Sequence, residues 1–242
     1  MPETHTVKRA IITAAGMGNR MHPLTFTTPK PLISVNGTRM IDTIIDGLLD
    51  NGICDINIVT GYLEDKFEVL LEKYPMINFI NNPVYDKYNN ISSLYAARDL
   101  LDTDVMITDA DQIIYNNRIL ALGFTKSGYN ATVVTGHTDE WVMTVEDDIV
   151  TSCSRNGGDE GWQLYSISRW CREDALKLKE FLIEEFEKNE RRDVYWDDIP
   201  MFLHKDAFRL GIRIMNKEDI LEIDSLEELQ KIDSSYLNIK GA

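Results

Sequence analysis

Residues 11–32, IITAAGMGNRMHPLTFTTPKPL, decide the fold of this chain. The apolar residues that open the segment predict a buried β-strand that ends at Thr13. Small residues and two glycines follow, and glycine lets backbone N–H groups come close to a ligand and converge on phosphate oxygens. The segment therefore predicts a strand followed by an anion-binding turn, formed by Ala14, Ala15, Gly16 and Gly18.

Two cations follow this turn. Arg20 and Lys30 are both close to it in sequence, and Pro23, Pro29 and Pro31 stiffen the loop that carries Lys30, which limits the entropy lost in fixing it. The pattern lacks the third glycine of the dinucleotide-binding fingerprint and the Gly-Lys-Ser/Thr of a Walker A loop. We therefore expect a polyphosphate site of another type.

The composition bounds the class of protein. A chain of 242 residues with 43% hydrophobic content can bury one large core, so we predict a single domain over residues 1–242. Its 40 acidic and 25 basic residues give a formal charge of −15, which disfavours nucleic acid and anionic membranes as partners. Three cysteines without a C-x-x-C pair, no signal peptide and no membrane-spanning run predict a cytoplasmic location.

Hydrophobic spacing alternates between strands and helices in the first half of the chain. A helix is predicted over residues 40–50, a strand over 56–60 that ends at Gly61, and then a second helix. This second helix is expected to bury Phe67, Leu70 and Leu71. A third helix is predicted to open at the Asn89-Asn90 pair and to run to about residue 101. The alternation predicts an α/β fold with a mostly parallel central sheet and ligands at the carboxyl ends of its strands.

The pattern changes after about residue 130, where short alternating strands predict a small antiparallel lobe on the substrate side. We therefore assign residues 7–125 to nucleotide binding. Residues 126–235 are assigned to acceptor binding and to a second metal ligand.

Acidic residues follow two predicted strands. Asp109 and Asp111 come at the end of the strand over 105–108, and two close carboxylates are costly to hold together unless a cation neutralises them. Mg²⁺ takes carboxylate oxygens while it also binds substrate phosphates. Near the end of the chain, Glu222 and Asp224 alternate onto one face of a strand, which makes Asp224 a second candidate metal ligand beside Asp111.

Aromatic and acidic residues occur together in the second half. Trp141 follows Glu140, and Tyr195 lies two residues before Asp197. A single aromatic residue of this kind is usually part of a core or an interface. Aromatic faces beside a carboxylate are, however, how proteins hold a quaternary ammonium group, which cannot donate N–H hydrogen bonds.

The string G-x-G-x-R-x-x-P-x-T-x-x-x-P-K over residues 16–30 closely resembles the signature of nucleotidyltransferases that make nucleoside-diphosphate sugars and CDP-alcohols. Further segments narrow the resemblance to the bacterial CTP:phosphocholine cytidylyltransferase family, over nearly the full length from residue 10 to about residue 232. These segments are AAGMGNR, TPKPL, DKYNNISSLY, ITDADQIIYN, DEWVMTV, DVYWDDIP and LEIDSLEEL.

The resemblance implies a Rossmann-like nucleotidyltransferase fold, Mg²⁺ as cofactor, and CTP and phosphocholine as substrates. It assigns Asp111 to the metal, and Asp224 stays the second expected metal ligand. We expect Lys30, Arg20 and Asp111 to be catalytic. The expected nucleotide-binding residues are Ala14, Ala15, Gly16, Gly18, Lys30, Gly61, Asn90, Ser93 and Asp109. The expected choline-binding residues are Trp141, Tyr195, Asp197 and Glu222.

Other functions fit parts of the same pattern. The acceptor can be 2-aminoethylphosphonate or phosphoethanolamine, since Asp197 and Glu222 also suit a primary ammonium group. A sugar 1-phosphate is a further alternative, and composition and spacing do not select CTP over UTP. A nucleotide-binding regulator without activity is the alternative of another class, which the joint presence of Lys30, Asp111 and Asp224 disfavours.

Overall fold

The computed structural model describes residues 3–241. The first strands and helices, in chain order, are β1 (His5–Thr6), β2 (Arg9–Thr13), β3 (Ser34–Val35), β4 (Thr38–Arg39), α1 (Met40–Asp50), β5 (Asp55–Thr60), β6 (Asn78–Asn81), α2 (Ile91–Ala96), β7 (Val105–Asp109), β8 (Gln112–Ile114) and β9 (Gly123–Phe124). They are followed by β10 (Gly128–Val133), β11 (Val142–Glu146), β12 (Ile149–Ser154), β13 (Trp162–Trp170), α3 (Arg172–Ile183), β14 (Gly211–Ile214), β15 (Ile220–Glu222) and α4 (Leu226–Ile232).

One large sheet organises these elements. Strands β7, β2, β5 and β6 are adjacent and parallel in the order β7-β2-β5-β6, and β13 joins β7 antiparallel. Strands β10, β11 and β12 continue the antiparallel part, and β14 pairs parallel with β10. The predicted Rossmann-like α/β fold, with a mostly parallel central sheet and an additional antiparallel part, is confirmed. The assignment of the antiparallel part to the substrate side stays a prediction.

Apolar side chains pack on both faces of this sheet. Helix α1 buries one stripe, including Ile41, Ile44, Ile45 and Leu48, because these residues recur at helical spacing. Helices α2 and α3 pack with the other face around Trp170 and other large buried residues. The sheet is therefore covered by two apolar layers, and its strand ends stay open for ligands.

Two predicted helices differ from the structure. Residues Glu64–Glu72 form a 3-10 segment in which Phe67 and Leu70 are buried but Leu71 is 40% exposed, so the predicted inward position of Leu71 is wrong. A 3-10 segment has three residues per turn, which places residues 67 and 70 on one line and residue 71 beside it. The helix predicted from Asn90 to about residue 101 is shorter, because α2 ends at Ala96 and a separate 3-10 turn follows.

A small antiparallel pair brings the end of the chain to the sheet. Strand β15 pairs with β8, and Glu222 lies opposite Gln112. Ser225 then begins α4 with a capping box, in which Ser225 Oγ accepts from Glu228 N and the Glu228 carboxylate accepts from the backbone N–H of Ser225. This pairing places Asp224 next to the end of β7.

No helix among residues 3–241 is long and apolar enough to cross a membrane. Cys54, Cys153 and Cys171 are free thiols. The cytoplasmic location inferred from the sequence stays a prediction, as do the proposed functional boundaries within residues 1–242.

Candidate active site

A cavity of about 590 Å³ opens at the carboxyl ends of β2 and β7. Ligands of open parallel sheets bind at this edge. The predicted site residues that line it are Ala14, Ala15, Gly16, Gly18, Arg20, Lys30, Asn90, Ser93, Asp109, Asp111, Tyr195, Glu222 and Asp224.

The glycine turn is held by close packing. Gly18 has φ +63°, and a Cβ atom there would lie 3.0 Å from Thr25 Cγ2 and 3.1 Å from Lys30 Cβ. Thr25 also donates to the Gly18 carbonyl oxygen at 2.9 Å. Gly16, in contrast, has no neighbouring atom within 4 Å of an added Cβ, so its backbone faces open space at the cavity. Gly18 therefore shapes the turn, and Gly16 leaves room for a ligand.

Two basic residues meet two aspartates beside this turn. Lys30 Nζ donates to Asp111 Oδ2 at 2.7 Å and to Asp224 Oδ1 at 2.8 Å, and Arg20 Nη2 lies 2.9 Å from Asp224 Oδ1. Lys30 is only 8% exposed. Burial lowers the pKa of Lys30, but the charges and hydrogen bonds of Asp111 and Asp224 outweigh burial and raise it. Lys30 is therefore a fixed cation in the cavity wall.

Asp111, Glu222 and Asp224 each offer a carboxylate oxygen, and these oxygens all lie within 4.8 Å of one another. The Oδ1 atom of Asp111 is buried and has no hydrogen-bond partner among the described residues. Burial, followed by the charges of Asp111 and Asp224, raises the pKa of Glu222 well above its usual value. A hard divalent cation fits this donor set, because it would take the free oxygen and relieve the repulsion.

Asp109 lies in the same cavity but has other contacts. Its carboxylate accepts a short hydrogen bond from Thr13 Oγ1, and its backbone N–H donates to Ser166 Oγ at 3.2 Å. Burial and the neighbouring Asp111 carboxylate raise the pKa of Asp109 to about 7. Asp109 therefore contributes a carboxyl group that changes charge near neutral pH.

Aromatic residues form one side of the cavity. Tyr195 is 47% exposed and lines the cavity, and its ring packs edge-on against Trp141 with centroids 5.8 Å apart. Trp141 lies behind Tyr195 and contacts Phe202, with centroids 5.5 Å apart. The Arg155 guanidinium lies 5.6 Å from the Trp141 ring and 4.0 Å from the Phe202 ring.

The structure does not bring three of the predicted site residues to the cavity wall: Gly61, Trp141 and Asp197. Asp197 is 9% exposed and its Oδ1 accepts from the Tyr129 hydroxyl at 2.9 Å, within the core. A Cβ at Gly61 would lie 2.8 Å from Tyr85, so this glycine permits the packing of a tyrosine that does line the cavity.

Asn90 and Ser93 are held by neighbours in the cavity wall. Asn90 Oδ1 accepts from the backbone N–H of Trp196 at 2.9 Å, and Ser93 Oγ accepts from Asn82 Nδ2 at 3.2 Å. These contacts leave the Asn90 amide NH₂ group and the Ser93 hydroxyl hydrogen for a ligand.

Several lining residues were missed by the sequence reasoning. Tyr85 and Tyr88 both line the cavity, and Tyr88 lies within the quoted segment DKYNNISSLY, although no role was assigned to it. Arg155 and Asp198 do not line the cavity but hold Tyr195, which does. Asp198 Oδ1 accepts from Arg155 Nε at 2.9 Å, and Asp198 Oδ2 accepts from the backbone N–H of Tyr195 at 3.0 Å. The Asp198 carboxylate was visible as part of an acidic run, whereas nothing in the local pattern marks Arg155.

Comparison with known proteins gives the class. A family model described as Nucleotidyl transferase matches residues 9–140. The chain therefore belongs to the nucleotidyl transferase family and is an enzyme of that class.

Individual relatives extend the likeness over nearly the whole chain. A 2-aminoethylphosphonate cytidylyltransferase of Lancefieldella rimae is 38% identical, with 94% of this chain and 93% of that protein covered. A choline-phosphate cytidylyltransferase of Streptococcus pneumoniae is 32% identical, with 95% and 99% covered. The solved structure of the CTP:phosphocholine cytidylyltransferase of S. pneumoniae matches with a TM-score of 0.85 at 31% identity, covering 95% of this chain and 99% of that chain. The predicted resemblance to phosphocholine cytidylyltransferases is confirmed.

Proposed function

We propose that this enzyme transfers CMP from CTP to a small zwitterionic phosphate or phosphonate and releases pyrophosphate. Phosphocholine is the acceptor that the aromatic side of the cavity favours. The observation that carries the proposal is that the glycine turn, Lys30, Tyr195 and Glu222 line one cavity. The choice of cytosine rests on the likeness to cytidylyltransferases.

The reaction requires no general base. A phosphate monoester carries about two negative charges at neutral pH, since its second pKa is about 6, so the acceptor is already an ionised nucleophile. Its oxygen forms a bond to the α-phosphorus while the bond from that phosphorus to the bridging oxygen of pyrophosphate breaks. The barrier is electrostatic, because two anions approach and negative charge builds on the leaving group.

The residues of the chain lower this barrier by position and charge. Backbone N–H groups of the turn at Gly16 and Gly18 receive the phosphates, and Lys30 and Arg20 balance their charge. Asp111 and Asp224 are the proposed holders of Mg²⁺, which when bound would supply neutralising charge at the phosphates. Lys30 also keeps Asp111 and Asp224 at a fixed spacing, since its ammonium group donates to both.

The acceptor side suits a cationic head group. Glu140 and Glu222 are two carboxyl groups near this side, and burial followed by the charge of Asp224 raises the pKa of Glu140. A bound cation would favour the ionised form of both carboxyl groups. The exposed face of Tyr195 offers a surface for a quaternary ammonium. A cation at this end and a phosphate at the other match the charge distribution of phosphocholine.

A second candidate acceptor is 2-aminoethylphosphonate. Trp141 and Asp197 do not line the cavity, and this favours the second candidate. Of the four residues expected to bind the cationic head group, only Tyr195 and Glu222 face the cavity. One aromatic ring and one carboxylate suit a primary ammonium, which donates hydrogen bonds to carboxylate oxygens. The greater identity to the L. rimae relative points the same way.

Pyrophosphate release tests both candidates. Each of CTP, UTP, ATP and GTP is combined with phosphocholine, phosphoethanolamine, 2-aminoethylphosphonate or glucose 1-phosphate. We expect turnover with CTP and a zwitterionic acceptor, with the larger kcat/KM identifying the acceptor. Turnover with the sugar phosphate alone would overturn the proposal. Asp111→Asn is expected to abolish turnover while CTP still binds, and equal turnover in that variant would contradict the metal assignment.

A further inference from the structure

A second cavity, of about 610 Å³, lies at the other edge of the sheet. Arg169 lines it and pairs with Met106 on β7, whereas Asp109 at the end of the same strand lines the catalytic cavity. The two cavities therefore lie toward opposite ends of β7, and the second one has no part in the proposed reaction.

Its charge is opposite to that of the protein as a whole. The chain carries a formal charge of −15, yet this cavity is lined by Arg169, Arg213 and Lys126 and by one acidic residue, Asp148. Among residues 3–241, no carboxylate oxygen lies within 4.0 Å of a charged nitrogen of these three basic residues. The three basic residues of the cavity thus form no ion pair within the described part of the chain.

Arg169 is the deepest of these cations. It is 2% exposed, and its three guanidinium nitrogens donate to Ala121 O at 2.9 Å, Asn130 Oδ1 at 2.7 Å and Ile119 O at 2.6 Å. These acceptors are all neutral, so the hydrogen bonds fix the side chain without cancelling its charge. Burial, and then the charge of Arg213, lower the pKa of Arg169 to about 9.

Arg213 is the group free to contact a ligand. It lies across β10 from Arg169, because Gly128 of that strand pairs with Arg169 and Asn130 pairs with Arg213. Its Nη1 donates to Gly123 O at 3.1 Å, and its Nε and Nη2 atoms have no hydrogen-bond partner within residues 3–241. Two partly desolvated guanidinium groups, Arg169 and Arg213, repel each other, and this repulsion costs free energy. An anion bound on the solvent side of Arg213 would offset that cost.

We propose that this second cavity binds a small phosphate-bearing molecule, with Arg213 and Lys126 as its direct contacts and Arg169 as the buried charge behind them. A guanidinium fork matches a phosphate group with two parallel hydrogen bonds. Lys126 Nζ has one contact, to the Asp148 carbonyl oxygen at 3.4 Å, so it is free to turn toward the ligand. The volume is comparable to that of the catalytic cavity, and therefore accommodates either free phosphate or the phosphate of a nucleotide.

Calorimetric titration of the full chain tests the proposal, with inorganic phosphate and CMP as separate probes. Arg213→Gln removes the proposed contact, and Arg118→Gln, an exposed arginine outside both cavities, is the matched control. We expect at least one probe to show a binding equivalent whose Kd rises about tenfold or more in Arg213→Gln and is unchanged in Arg118→Gln. The probe that shows it identifies the source of the phosphate.

The proposal would be overturned if wild type and Arg213→Gln bound both probes with equal Kd. It would also be overturned if phosphate did not bind saturably and CMP showed one binding equivalent only, that of the catalytic cavity. Lys126→Gln is the second variant, because Lys126 is exposed and its replacement leaves the strands intact. It is expected to weaken the same binding equivalent, and unchanged binding in Lys126→Gln would equally contradict the proposal.

Discussion

Lys30 donates a hydrogen bond to Asp111, with the Nζ and Oδ2 atoms 2.7 Å apart. Lys30 comes from the loop after β2, Asp111 follows β7, and Asp224, which Lys30 also contacts, follows β15. One cation therefore connects three distant segments of the chain at the point where the phosphates are expected to react.

Replacement of Lys30 by methionine keeps a long side chain and removes the charge. We expect kcat/KM for CMP transfer to fall by about 10²–10³-fold, the usual loss when one preorganised donor to developing negative charge is removed. Pyrophosphate release measures the effect. Lys177→Met, on α3, is the control and should keep full activity. Activity of Lys30→Met close to that of wild type would contradict the role of this cation.

Much of the site could be predicted from local sequence. The turn at Gly16 and Gly18 follows a strongly apolar strand, so its place at the sheet edge follows from strand direction alone. Asp111 was predicted for the same reason. Asp224 was predicted as a metal ligand from strand alternation, but its contact with Lys30 was not. That contact depends on the short pairing of β15 with β8, which no periodicity indicates.

The directions of the side chains around Tyr195 could not be predicted from the sequence. Asp197 and Asp198 are adjacent, yet Asp197 accepts from Tyr129 in the core while Asp198 binds Arg155. They directly precede a short helical segment, Ile199–Leu203, that does not have the spacing of an α-helix, so no helical period indicates which of the two carboxylates faces the core. Arg155 lies in a polar loop after β12, and such a loop carries no hydrophobic pattern that would fix its position.

The pKa of Asp109 predicts a pH dependence of stability. Its value of about 7 in the folded protein exceeds the usual value of about 3.9 for an unfolded chain, so the folded state binds this proton more tightly. The resulting stabilisation is fully present below about pH 4 and is lost as the pH rises through about 7. The raised pKa values of Asp197 and Glu222 act in the same direction.

Urea unfolding in the presence of a chelator, from about pH 4.5 to about pH 8, measures this dependence. We expect the free energy of unfolding to fall with rising pH in wild type, and to fall less steeply in Asp109→Asn. The control is Asp147→Asn, an exposed turn position with φ +49° that asparagine tolerates. Parallel curves for wild type and Asp109→Asn would contradict the assigned pKa.

Arg155 is expected to position the acceptor side. Asp198 accepts from Arg155 and, through Oδ2, from the backbone N–H of Tyr195 at 3.0 Å, so Arg155 acts on Tyr195 through a 3% exposed carboxylate. In Arg155→Gln we expect the KM of the acceptor to rise about fivefold while the KM of CTP stays unchanged, in line with a partly exposed cation–aromatic contact. Steady-state kinetics with each substrate varied separately checks this. Equal changes in both KM values would indicate a general loss of structure instead.

Tyr195 should distinguish the two proposed acceptors. Removal of its ring in Tyr195→Ala is expected to weaken phosphocholine use by ~1–2 kcal/mol in kcat/KM, about 5- to 30-fold, and 2-aminoethylphosphonate use by less. The reason is that a quaternary ammonium depends on the aromatic face, whereas a primary ammonium also binds carboxylates. Tyr115→Ala, at a tyrosine 58% exposed outside the cavity, is the matched control. Equal losses of kcat/KM for both acceptors would show that the Tyr195 ring does not select between them.

The two glycines of the turn should respond to alanine in different ways. At Gly18 the left-handed φ of +63° and the contacts of an added Cβ with Thr25 and Lys30 predict a loss of stability of ~1–2 kcal/mol, together with a loss of activity. At Gly16 an added methyl group meets no protein atom within 4 Å, so Gly16→Ala should unfold at the wild-type temperature. It should nevertheless bind CTP more weakly, because the methyl group occupies space that the phosphates need. Thermal unfolding and CTP titration of both variants separate the two effects, and full CTP affinity in Gly16→Ala would place the phosphates elsewhere in the cavity.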